Sequence, residues 1–201
     1  LAARLNSLGL LLVLFLVGLV LTLLSPRFLS VDNLMNVASQ AAINSIVSIG
    51  MFMTILTAGI DLSVGSVLAL STMFMALLSR KLGLDPYLSM GACLIMGALL
   101  GLVNGLMLTK LNLPHPFIST LGMMNIGRGL ALILTAAAPI SLFPQPIQFL
   151  GNSFAGPVPV SFILVAILYV LVHLFLTRTT AGRYIYAVGG NKEASRLSGI
   201  N

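Results

Sequence analysis

Apolar runs of bilayer-spanning length are what most constrain this chain. Leu8–Leu24 carries no charge and ends just before Pro26, and five further runs cover about Ala41–Ala58, Leu62–Ser79, Leu88–Thr109, Pro116–Ala136 and Val160–Thr177. Each approaches the ~20 residues that a helix needs to cross a ~30 Å hydrocarbon layer. Backbone inside that layer must satisfy its own hydrogen bonds, so the runs predict helices. The second run can be extended back to Asp32, whose carboxylate would then cap it. A helix of that length, roughly 40 Å, fits with tilt or a break. The expected architecture is an all-α integral membrane protein, a polytopic helical bundle with six spanning segments in one transmembrane domain over residues 1–201.

Composition supports this, since 58% of the residues are hydrophobic and 7% charged. Soluble domains carry about a quarter charged residues to wet their surfaces, so that class is excluded. The net charge of +6 comes from ten bases against four acids, scattered at the ends of the runs. Without dense basic tracts interleaved with aromatics, it predicts no nucleic-acid partner. With Leu1 in the cytoplasm, Arg4, Lys110, Arg178, Arg183, Lys192 and Arg196 fall inside and Arg27, Arg80 and Lys81 outside. That distribution obeys the positive-inside rule, although the Arg80–Lys81 pair would also suit a re-entrant or displaced pair of helices. The first run lacks a small-residue cleavage site and is read as a retained helix rather than a signal peptide. Both ends look cut, as in a fragment of a longer protein. The single cysteine, Cys93, lies within an apolar run and cannot form an internal disulfide. His115 and His173 are isolated from each other and from other ligands, so no metal site is expected.

The longest polar connection, Pro139 to Pro159, contains five prolines and no charge. Such a segment suits an extracytoplasmic cap packed on the membrane surface. In the fourth run Gly97, Gly101 and Gly105 recur at four-residue spacing, which lets another helix approach closely, within this chain or across a dimer.

Asp61 stands between two of the runs, flanked by Gly59 and Gly65 and followed by Ser63 and Ser66. A carboxylate at or near the hydrocarbon needs a reason, and the glycines predict a broken helix there. Gly59 would supply the positive φ at which the preceding helix ends. The acid has two readings: it satisfies N–H groups freed at the break with help from Ser63, or it contacts substrate, ion or proton. Arg128, inside the fifth run, must snorkel, face water or pair, and Asp61 is the carboxylate available to it. Asn44, Asn104 and Asn125 are helix–helix hydrogen-bonding groups or hydroxyl-matching contacts along a path. No nucleophile–base pair or phosphate-cradling loop suggests catalysis, so the chain is not expected to be an enzyme.

After Thr177 the sequence turns amphipathic and basic. Asn191 can cap a short helix that starts near Lys192, carries Glu193 in its first turn and ends at Gly199. Residues 178–201 are thus a cytoplasmic segment, either anchored at the lipid surface or docked on a partner.

Glu193-Ala194-Ser195 followed by Gly199 resembles the glutamate-alanine-alanine loop of binding-protein-dependent permeases, with serine for the second alanine. The stretches Gly59 to Leu70, Pro116 to Leu130 and Tyr186-Ala-Val-Gly189-Gly190-Asn191, with Asn104-Gly105 between them, are similar to the ribose and xylose branch of bacterial ATP-driven importers. His115 departs from the small residue or proline that relatives often have there. The resemblance implies a permease of about ten spanning segments, of which six lie here. It makes residues 178–201, with Gly189, Gly190, Asn191, Glu193, Ala194, Ser195 and Gly199, a coupling loop for an ATPase subunit. It makes Gly59, Asp61, Ser63, Gly65, Asn104, Asn125 and Arg128 candidates for the helix break or translocation path. The implied partners are the ATPase, an extracytoplasmic sugar-binding protein, a second permease subunit and membrane lipid, in a bacterial inner membrane. No cofactor is implied beyond ATP bound by the ATPase. The alternative is a proton-coupled secondary sugar transporter in which Asp61 titrates.

Overall fold

The structure, a computed structural model, describes residues 2–111, 113 and 115–200, the side chains of residues 2–8 excepted. Leu1, the Arg4 side chain used in the charge argument, and Asn201 at the end of the expected coupling loop lie outside the described residues.

Among the described residues the chain forms nine α-helices and one small hairpin. They are α1 (Ala2–Leu24), α2 (Val31–Leu56), α3 (Val64–Ala76), α4 (Pro86–Lys110), α5 (Pro116–Thr135), α6 (Gln145–Asn152), α7 (Val160–Arg178), α8 (Thr180–Gly190) and α9 (Lys192–Leu197). A π-helical turn, Leu77–Lys81, prolongs α3. Strands β1 (Phe154–Ala155) and β2 (Val158–Pro159) pair antiparallel, Phe154 opposite Pro159. By length and apolarity, α2, α3 with its π turn, α4, α5 and α7 can cross a membrane, and Gly9–Leu24 of α1 is a shorter apolar helix. Each of the six expected runs is therefore helical.

The helix boundaries follow local chemistry. The cap of α2 is Ser30, whose Oγ accepts a hydrogen bond from the Asn33 N–H at 3.3 Å. The expected cap, Asp32, sits instead in the first turn, where its charge meets the positive end of the helix dipole. At the start of α4 one Asp85 oxygen accepts from the Tyr87 and Leu88 N–H groups at 2.9 and 3.2 Å, ahead of Pro86 in the first turn. Arg80 and Lys81 ride on the π turn at the end of α3. That segment is a continuous helix of 18 residues, and the two cations mark its far end.

The core is built around α3, which packs on both α4 and α5. Small residues allow the approach: a Cβ on Gly127 would lie 3.3 Å from Ser66 Oγ, and one on Gly97 3.5 Å from Ser71 Oγ. Gly101 and Gly105 have open space beside them instead. Buried Ser63, Ser66, Ser71, Asn104, Ser119 and Thr120 mix with Leu70, Met75, Met123 and Ala131. Apolar burial gains little between helices already in lipid, so close small-residue contact and interhelical hydrogen bonds hold such a bundle together. Elsewhere α2 packs on α7, and α8 turns back from α7. The chargeless connection folds as a cap, with α6 against α4 and α7 and the hairpin against α2 and α7.

Candidate functional site

The interruption between α2 and α3 is a left-handed helix stop. Gly59 N–H donates to the Thr54 carbonyl at 3.0 Å and Ala58 N–H to the Ile55 carbonyl at 2.9 Å, the paired bonds of a Schellman motif. The positive φ falls on Ala58, at 57°, and not on Gly59 as the sequence predicts. Gly59 serves close packing instead, since a Cβ there would lie 3.0 Å from Thr54 Cγ2 and 3.1 Å from its carbonyl oxygen, and Thr54 would have to give way. Gly65 does not contribute to the break: it lies in the first turn of α3 with nothing close to it.

Beyond the stop, Asp61 closes a local turn. Its Oδ1 accepts from the Ser63 N–H at 2.7 Å and from Ser63 Oγ at 2.6 Å. Ser63 Oγ in turn accepts from Asn104 Nδ2 at 2.8 Å, which ties the break to the middle of α4. Thr120 Oγ1, from α5, reaches the Ile60 carbonyl at 3.4 Å. Helices α4 and α5 thus both reach the irregular backbone between α2 and α3. Asn104 Oδ1 is buried with no partner, so the network carries one open acceptor.

These residues line a cavity of about 620 Å³. The lining comes from three places: Thr54, Thr57, Gly59 and Asp61 at the end of α2 and the break, Gly101, Asn104, Gly105, Ser119 and Thr120 on α4 and α5, and Gly189, Gly190, Asn191 and Lys192 where α8 meets α9. The polar part of the lining is hydroxyls, two amides and bare glycine backbone, with one carboxylate and one ammonium. Leu108, Leu113 and Pro116 also border it, which places it at the end of the bundle that holds Lys110.

The last two helices meet at one residue. Asn191 N–H donates to the Ala187 carbonyl at 3.0 Å, closing α8, while its Oδ1 accepts from the Ala194 N–H at 2.9 Å, opening α9. Ser195, buried, donates its Oγ to the Asn191 carbonyl at 2.8 Å. Glu193 is exposed and pairs with Arg196 at 3.2 Å, and Gly199, at φ 80°, ends α9 with the Ile200 N–H bonded to the Ser195 carbonyl. The sequence located this helix but missed α8. Thr179 was its signal, since Oγ1 accepts from the Gly182 N–H at 3.0 Å as an N-cap.

Gly59, Asp61, Asn104, Gly189, Gly190 and Asn191 therefore come together, with Ser63 buried beside them, Glu193, Ala194 and Ser195 following on α9 and Gly199 just past its end. Asn125 and Arg128 do not join them. Both are exposed on α5, and Asn125 Nδ2 turns back to the Leu121 carbonyl at 2.9 Å. Asp61 and Arg128 form no ion pair, because Arg128 lies more than two turns along α5 from Thr120, the contact with the break. Asn44 is likewise exposed, on α2. The hydroxyls of Thr54, Thr57, Ser119 and Thr120 escaped the sequence reading; their sign was their position beside the flanking Gly59 and Pro116.

Such a bundle of apolar helices around a polar cavity has the architecture of a polytopic helical membrane protein. The chain belongs to the family described as the permease component of the branched-chain amino acid transport system, which matches residues 33–201. It is 37% identical over 90% of its length to the ribose import permease of Haemophilus influenzae and covers 57% of that protein. It is 39% identical over 97% of its length to the ribose import permease of Bacillus subtilis, covering 61% of it. Against the D-allose transport system permease of Escherichia coli K12 the identity is 42% over 89% of the chain, with 55% of that protein covered. The chain thus spans between about half and two thirds of these relatives. No solved structure matches it.

Proposed function

We propose that this chain forms part of the permease subunit of an ATP-driven importer that carries a monosaccharide across a bacterial inner membrane. The observation that carries the reading is similarity to permeases for ribose, allose and fructose over most of the chain. The cavity supports it: hydroxyls of Thr54, Thr57, Ser119 and Thr120 with the Asn104 amide match a neutral polyol, which needs many weak polar contacts. In this reading Gly59, Asp61, Ser63 and Asn104 belong to the inner end of the translocation path, and Gly189 to Gly199 form the coupling loop for an ATPase subunit. A binding protein delivers the sugar from outside, and a second permease subunit completes the path.

Affinity purification of the tagged full-length protein from gently solubilised native membranes tests this. Recovery of an ATPase, lost when Glu193 and Gly199 are changed to alanine, is the expected result. Sugar uptake by cells should fall with ATP depletion and survive a protonophore. A stable permease without ATPase, with uptake abolished by the protonophore, would replace this reading with a proton-coupled transporter in which Asp61 titrates.

A further inference from the structure

We infer that Gly189 is a positioning residue that links the coupling segment to the broken end of α2 by direct contact between backbones, an inference that rests on the importer reading above. A Cβ on Gly189 would overlap the Leu56 carbonyl oxygen; it would also lie 2.9 Å from the Leu56 carbonyl carbon and 3.6 Å from Thr57 Cα. Leu56 is the last residue of α2. The helix stop that follows returns its N–H groups to Thr54 and Ile55, which leaves the Leu56 carbonyl to face Gly189.

Both sides of this contact are stiff. On one side, α8 is held to α7 by the Thr179 cap and by Gly182, whose Cα lies against the Phe175 and Leu176 carbonyls so tightly that no side chain fits. At its other end α8 is joined to α9 through Asn191 alone, with hydrogen bonds fixing both helices. On the α2 side, Gly59 packs tightly on Thr54, and two residues later Asp61 begins the hydrogen-bonded series through Ser63 to Asn104. A push on α9 therefore reaches Leu56 after two residues of α8, and no flexible side chain intervenes to absorb it. Two consecutive glycines in a helix are unfavourable relative to alanine. At Gly189 the contact supplies the reason.

The test uses the complete transporter, reconstituted in proteoliposomes with its ATPase and binding protein and supplied with radiolabelled ribose, allose and fructose. Gly189→Ala should keep the ATPase bound and ATP hydrolysis within twofold of wild type, while sugar moved per ATP falls at least tenfold. Gly50→Ala, on the open surface of α2 with nothing within 4 Å, should leave that ratio unchanged. Hydrogen exchange on the wild-type complex gives a measurement independent of any folding defect. A non-hydrolysable ATP analogue should change protection at residues 54–63 together with residues 189–191. If Gly189→Ala transports at the wild-type ratio, or if residues 189–191 respond to nucleotide while 54–63 do not, the link is overturned. If no ATPase accompanies the wild-type protein, the importer reading itself falls and takes this inference with it.

Discussion

Ser63 takes part in two side-chain hydrogen bonds of opposite sense, donating to Asp61 and accepting from Asn104, and it is fully buried. Removing the hydroxyl would leave the Asn104 amide without an acceptor and take one of its two donors from the carboxylate. A buried polar group stranded in this way costs about 1–3 kcal/mol. Ser63→Ala should therefore lower the thermal unfolding midpoint in detergent, and an unchanged midpoint would show that the network is not holding α3 to α4. Ser71 presents the opposite case. Its Oγ is buried against α4 with no partner. Ser71→Ala removes an unsatisfied hydroxyl at almost constant shape, so the same measurement should show no loss and a gain of up to about 1 kcal/mol.

Among the elements, the ends of helices were the harder part to read. Apolar run length located the spanning helices, because a bilayer demands it regardless of tertiary context. Asn191 and Gly199 also read correctly, since an N-cap and a left-handed stop are local chemistry. The end of α2 misled because the left-handed position went to Ala58 and the adjacent glycine to a steric demand from Thr54, a distinction that needs coordinates. An L-residue in that conformation costs roughly 1 kcal/mol relative to glycine. Ala58→Gly should thus stabilise the fold by about that amount. Thermal unfolding of the detergent-solubilised variant checks this, and a lower midpoint would mean that the stop depends on the alanine side chain. The cavity was illegible for another reason: Thr54, Asn104, Thr120 and Gly189 lie far apart in sequence and meet only through packing. Gly127 shows what that packing tolerates. With Ser66 Oγ at 3.3 Å from its would-be Cβ, Gly127→Leu must push α5 off α3 and cost about 1–3 kcal/mol, which a lower unfolding midpoint would register.

At the scale of the whole molecule, the charges sort by end. Lys110, Arg178, Arg183, Lys192 and Arg196 sit with the cavity and α9, while Arg27, Arg80 and Lys81 lie with the starts of α2 and α4. Asp32 and Asp85 share the latter end, but acids contribute little to topology. The cap of α6 and the hairpin closes that same end, and its lack of charge lets it rest at the polar–apolar boundary. Only one orientation puts the larger group of bases in the cytoplasm, and it also turns the cavity end of the bundle and Asn191 inward. Cys93 is the sole cysteine, so a Cys93→Ser background allows this to be tested one position at a time. Gly151→Cys, in α6, should react with a membrane-impermeant maleimide on intact spheroplasts. Glu193→Cys, exposed on α9, should react only in inside-out vesicles or after permeabilisation. The reverse pattern would invert the molecule, place Asp61 and its hydroxyl-lined cavity outside, and leave α9 unable to meet an ATPase.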